Sequence, residues 1–204
     1  QMKYLLRFKK YSCLSYISHN DIARTVEMFM RRSGCPMDYS QGFHPMPLIS
    51  YSPAIPLGFI NRAVYLTIQT KDHFDFSTVS GSIQKGLDLL EHTETAPSFK
   101  LSAEIKGYRF KCYLSENTFK KLISYETSTI EKGKNSYDFK KLFMDFTYCV
   151  NKKGFFMIQY TQESDMLFNP FKLVKDGFEP EKDFFIPICD EAVWRAGYEK
   201  NTGC

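Results

Sequence analysis

The sequence has six cysteines, Cys13, Cys35, Cys112, Cys149, Cys189 and Cys204, but no Cys-x-x-Cys pair. Zinc ribbons and fingers draw two ligands from one turn, so scattered thiols predict no structural zinc. The four histidines, His19, His44, His73 and His92, form no spaced ligand set either, and no metal site is expected. Also missing are a G-x-x-x-x-G-K-[ST] phosphate loop, a G-x-G-x-x-G turn, a G-x-S-x-G elbow and an H-E-x-x-H helix. Their absence removes the common nucleotide, serine-hydrolase and zinc-protease readings, and no cofactor is expected. No apolar run approaches the roughly 20 residues of a membrane helix. The first ten residues lack the apolar region and small-residue cleavage site of a secretory signal. A cytoplasmic protein with reduced thiols is therefore expected, since a chain of this size needs no disulfide staples. With no self-contained nucleophile, the chain reads as a recognition or accessory protein rather than a stand-alone enzyme.

What is present is ordinary globular material. Hydrophobic residues make up 43 % and charged residues 25 % of 204 residues, enough for one large domain or two of about 100 residues each. The 19 Phe and 13 Tyr suit core filling, with some available for stacking. Net charge is +4 but uneven: residues 1–62 hold eight Lys and Arg against three Asp and Glu. A basic segment in a near-neutral chain points to an anionic partner, nucleic acid first.

Residues 3–9 read as a strand. Ser18 and Asp21 then form an S-x-x-D cap, and Ile22, Val26, Phe29 and Met30 give one helical stripe that stops at Gly34 and Pro36. The run Pro47–Gly58 reads as an edge strand and Ala63–Thr70 as an alternating one. A second helix is expected after Asp75 or Ser77, carried by Val79, Ile83, Leu87 and Leu90, with a closing strand near residues 91–96. The second half reads as strand 108–114, short helix 117–125, strand material over 127–131 and 137–150, strand 155–161, short helix 169–177 and strand 184–189. This predicts an α+β fold of tandem ferredoxin-like (β-α-β-β-α-β) units, residues 1–98 and 107–204.

Two segments carry chemistry. Tyr39-Ser40-Gln41-Gly42-Phe43-His44-Pro45-Met46-Pro47 packs an amide, a hydroxyl, an imidazole, two aromatics and stiffening prolines around a permissive glycine. Ser18, His19 and Asp21 sit at a helix start, where free N–H groups favour anions. Arg24 and Arg31 lie seven apart on that helix, where they offer a phosphate-binding stripe or pair with Glu27. The loop is expected to fold back along the helix, bringing Gln41 and His44 to Arg24 or Ser18.

These residues resemble a known family. Arg7-Phe8-Lys9, Tyr16-Ile17-Ser18-His19-Asn20-Asp21-Ile22, Arg31-Arg32-Ser33-Gly34, Tyr39 through Ser50, and Pro56-Leu57-Gly58 look like the radical-SAM-linked domain family of bacterial proteins. That family is fused to, or encoded beside, a cobalamin-binding-type radical SAM protein. The likeness is specific through about residue 70 and thins afterwards, where Tyr137-Asp138-Phe139-Lys140-Lys141-Leu142 still matches. The family more often has leucine at Asn20 and asparagine at His44, which argues against acid–base catalysis by His44. It also has an arginine-containing stretch that Ile186-Pro187-Ile188-Cys189-Asp190 lacks. The resemblance implies a radical SAM partner in trans, because no cysteine triplet here could hold an iron–sulfur cluster. The leading expectation is a recognition protein for that partner, binding RNA or an RNA-associated substrate. The alternatives are a protein-interaction adaptor without nucleic acid, and a metal-independent ribonuclease using His19 with Arg24 or Arg31.

Overall fold

The computed structural model describes residues 1–79, 82–151 and 154–195. It is an α+β protein that divides into two compact units, Gln1–Ile105 with Trp194, and Lys106–Val193. No helix among the described residues is long and apolar enough to cross a membrane.

In the first unit, strand β1 (Met2–Lys10) leads through a 3-10 turn (Ser12–Tyr16) to helix α1 (His19–Arg32). Strands β2 (Ile49–Tyr51), β3 (Ile60–Thr70), β4 (Ser82–Gln84) and β5 (Leu87–Thr95) follow, then the single helical turn α2 (Leu101–Glu104). The strands run β4-β5-β1-β3, with β2 also paired to β3, and these neighbours are antiparallel. Alternation explains the packing. Tyr4, Leu6 and Phe8 of β1 and Val64, Leu66 and Ile68 of β3 form a core with Ile22, Val26 and Met30 of α1. Each such side chain contributes roughly 1.5–3 kcal/mol of burial. The α1 start is capped as expected, the Asp21 N–H donating to the Ser18 hydroxyl at 3.1 Å.

The second helix expected in this unit is absent. Residues Phe76–Val79 make one 3-10 turn, and Ile83, Leu87 and Leu90 lie on strands. The cause is Gly86, which turns the chain between β4 and β5 at φ +101°. Its carbonyl accepts from the Tyr11 N–H at 2.9 Å, and a Cβ there would lie 2.8 Å from the Tyr11 carbonyl oxygen. Leu87 is buried while Leu90 is exposed, the outcome of period two rather than 3.6. Of the run Pro47–Gly58, only Ile49–Tyr51 forms strand.

The second unit holds β6 (Ile105–Leu114), α3 (Glu116–Ile123), the hairpin β7 (Thr129–Lys132) and β8 (Asn135–Asp138), the helical turn α4 (Phe139–Leu142), β9 (Met144–Val150), β10 (Phe156–Glu163), the helical turn α5 (Phe171–Val174) and β11 (Phe185–Trp194). Its sheet runs β11-β6-β10-β9. The strand material expected over 137–150 is interrupted by α4, and Asp145 takes φ +53° near the start of β9. Much of the aromatic load is spent here. Phe119 stacks on Phe156 at 4.2 Å and Phe110 on Tyr160 at 5.2 Å.

Candidate recognition surface around helix α1

The two segments singled out by sequence lie at opposite ends of α1. Its 14 residues separate them by about 21 Å of helix. At the N-terminal end, the Ser18 hydroxyl accepts from the Asp21 amide and donates to the Asp21 carboxylate at 2.6 Å. Asp21 is therefore a capping carboxylate, and Arg24 stands 4.0 Å from it. His19 is half-buried, its ring edge-on to Tyr51 at 5.7 Å. Burial, reinforced by the nearby Lys10 charge, pushes its pKa below the usual value. Tyr51 also donates its hydroxyl to the Ala23 carbonyl, and burial followed by Glu27 raises its pKa.

Lys10 was not singled out by sequence, although period two places it on the same inward face as Leu6 and Phe8. It is only 5 % exposed, and its ammonium donates to the Ile17 carbonyl at 3.5 Å. Burial lowers its pKa.

At the C-terminal end, Arg31 donates twice to one Glu27 oxygen, at 2.7 and 3.1 Å, and its guanidinium lies 5.7 Å from the Tyr39 ring centroid. This is the intrahelical pairing, so Arg31 is partly neutralised before any ligand arrives. No hydrogen bond among the described residues joins Gln41 or His44 of the 39–47 loop to Ser18 or Arg24, the contact expected from a loop folded back along the helix. The loop closes on itself instead. Tyr39 bridges Pro47, the Ser40 N–H donates to the Met46 carbonyl at 2.9 Å, and the Met46 N–H donates to the Ser40 hydroxyl at 3.0 Å. Its base is stitched to β3, with Asp38 N–H on the Gln69 carbonyl and Gln69 N–H on the Leu48 carbonyl. Gln41, Gly42, Phe43 and His44 form the tip and are exposed. Neither Gln41 nor His44 makes a side-chain hydrogen bond among the described residues. Gly42 takes φ +135°, which explains the glycine.

The tip is apolar where solvent is met. Phe43 is 102 % exposed and Met46 62 %. On α1, the outward stripe Arg24, Met28, Arg31 and Arg32 is exposed throughout. Met28 and Met46 are apolar members of this surface that sequence reading passed over. Helical spacing identifies Met28, since it falls outside the stripe of Ile22, Val26, Phe29 and Met30.

No disulfide forms among the described residues. Burial pushes the Cys35 thiol up to about 11 and the Cys112 thiol up to about 12, so both stay protonated and unreactive. Cys204 lies outside the described residues.

A family model described as an uncharacterized protein conserved in bacteria (DUF2344) matches residues 3–169, from β1 through the segment after β10. No curated protein matches the chain.

Proposed function

The chain belongs to the conserved bacterial family DUF2344, and we propose that it is an accessory recognition protein that docks a protein partner through the Tyr39–Pro47 loop and the outward stripe of α1. The observation that carries this reading is Phe43, wholly exposed at the tip of a loop closed by its own hydrogen bonds. A large ring held out in water by a braced loop has little ordering entropy left to lose when it enters an apolar pocket. Exposed Met46 adds adaptable apolar surface. The partner implied by the sequence resemblance is a radical SAM protein acting in trans, which would bring its own iron–sulfur cluster.

RNA is the second reading. Arg24 and Arg32 are exposed on the stripe, and an exposed aromatic ring offers a base a stacking surface. It ranks lower because Arg31 is already tied to Glu27 and Arg24 faces Asp21. The ribonuclease reading ranks lowest, since the half-buried His19 ring packs edge-on against Tyr51 rather than standing open to a substrate. For the architecture, we propose that both units are ferredoxin-like variants. The orders β5-β1-β3-β2 and β11-β6-β10-β9 share one pattern, with the second helix reduced to a 3-10 turn in the first unit and to α5 in the second.

The test is binding of the full chain to a radical SAM partner at low and high salt, wild type against Phe43→Ser. The expected result is a loss of about tenfold or more with weak salt dependence, since a central aromatic anchor carries roughly 2 kcal/mol or more. Unchanged affinity in Phe43→Ser would overturn the protein-docking reading. Binding to RNA that falls steeply with salt would put the second reading in its place.

A further inference from the structure

We propose that a cleft in the first unit is a binding site for a small phosphorylated ligand, held through its phosphate group. The cleft has a volume of about 250 Å³ and lies between β2 and the 99–102 segment. It is separate from the α1 surface. Ser50 pairs with Thr67 across β2 and β3, and Thr67 pairs with Leu5 of β1. Residues opposite one another share a sheet face, and Lys3, two residues from Leu5, shares it too. That face is the one turned away from the Leu6 and Phe8 core.

Three features of the lining point to an anion. First, Thr67 is only 2 % exposed, yet it lines the cleft. A largely buried hydroxyl at the wall of a cleft offers a bound group a hydrogen bond in partly desolvated surroundings. Second, the charged side chains in the lining are Lys3 and Lys100, with no carboxylate among them. The Lys3 ammonium donates to the Phe99 carbonyl at 2.5 Å and the Pro97 carbonyl at 3.4 Å. Both acceptors are neutral, so they fix the ammonium in place without cancelling its charge. Third, Ser50 and Ser102 add two more hydroxyls.

Two ammonium groups and three hydroxyls around one small space suit a tetrahedral oxyanion, whose oxygens accept several bonds at once. Tyr51 and Phe99 add apolar wall for the body of the ligand. The volume falls just below the roughly 300 Å³ at which drug-sized pockets begin, so it fits a phosphate with a sugar-sized body and excludes a dinucleotide.

The experiment is amide chemical-shift titration of the full chain with inorganic phosphate, ribose 5-phosphate and acetate. Saturable shifts are expected at Ser50, Thr67 and Phe99 through Ser102 with both phosphates, tighter for the sugar phosphate. Thr67→Val keeps the side-chain shape, and Lys100→Gln alters an exposed residue. Each should weaken phosphate binding by about tenfold, the loss of one charge-assisted or buried hydrogen bond. Should Thr67→Val not fold, Lys100→Gln decides alone. No shift at these residues, equal affinity in the folded variants, or acetate bound as tightly as phosphate would each overturn the proposal.

Discussion

The Tyr51 hydroxyl donates to the Ala23 carbonyl at 3.1 Å, tying β2 to the first turns of α1. The bond is half-buried and reaches a backbone group 28 residues away. Tyr51→Phe removes it while keeping the ring against His19. The variant should lose roughly 0.5–1.5 kcal/mol of stability, read as a lower urea midpoint with an unchanged slope.

His19 should titrate below the usual 6.5. The unfolded chain then binds its proton at higher pH than the folded one, so the His19 contribution to stability is fully present above 6.5 and is lost as pH falls from there through the lower folded value. Imidazole NMR titration measures the shift directly. His19→Gln should flatten stability between pH 7 and 5 relative to wild type. A His19 midpoint at or above 6.5 would refute the packing argument.

Gly86→Ala should be among the most damaging single-methyl changes in the first unit. It meets both a φ of +101° and a backbone oxygen at 2.8 Å. Strain of this kind is worth about 1–3 kcal/mol, so thermal unfolding should shift down by several degrees.

Ser115 caps α3 and binds Asp183. Its hydroxyl accepts from the Thr118 N–H at 3.3 Å and donates to the Asp183 carboxylate at 2.7 Å. Ser115→Ala should cost about 1–2 kcal/mol as a lost cap. That Ser115 bond, then the Glu179 N–H, holds Asp183 below its usual 3.8. The folded pKa lies below the unfolded one, so this stabilisation is present above 3.8 and is lost as acid carries the pH through the folded value. The variant should therefore be less sensitive to acid than wild type, which acid titration followed by circular dichroism will read.

Phe43→Ser should leave stability within about 0.5 kcal/mol of wild type, because a wholly exposed side chain has no packing to lose. A larger drop would mean that the ring supports the fold and is not held ready for a partner.

Helix α1 was legible because its cap, apolar spacing and terminator all agree. Ser18, Asp21, Ile22, Val26, Met30 and Gly34 give one answer from independent signals. The β4–β5 hairpin was not legible because Val79, Ile83 and Leu87 also satisfy helical spacing, and only tertiary contact with Tyr11 decides for the strand. Gly86 was the available clue. The composition of the 39–47 loop marked it out, but its direction did not show. Whether it folds back depends on the Ser40–Met46 closure, a contact between residues whose spacing fits many loops.

The closure of that loop has an evolutionary consequence. Its bracing bonds run through Tyr39, Ser40, Met46 and Pro47, and the hydrogen-bonded base runs through Asp38, Leu48 and Gln69. Gln41, Phe43 and His44 stand outside this frame. Substitution at those three positions changes the surface the loop presents without touching the bonds that keep it folded. Selection for a new partner and selection for folding therefore act on different residues. The tip can therefore be exchanged in the laboratory as an interchangeable part while its frame is kept.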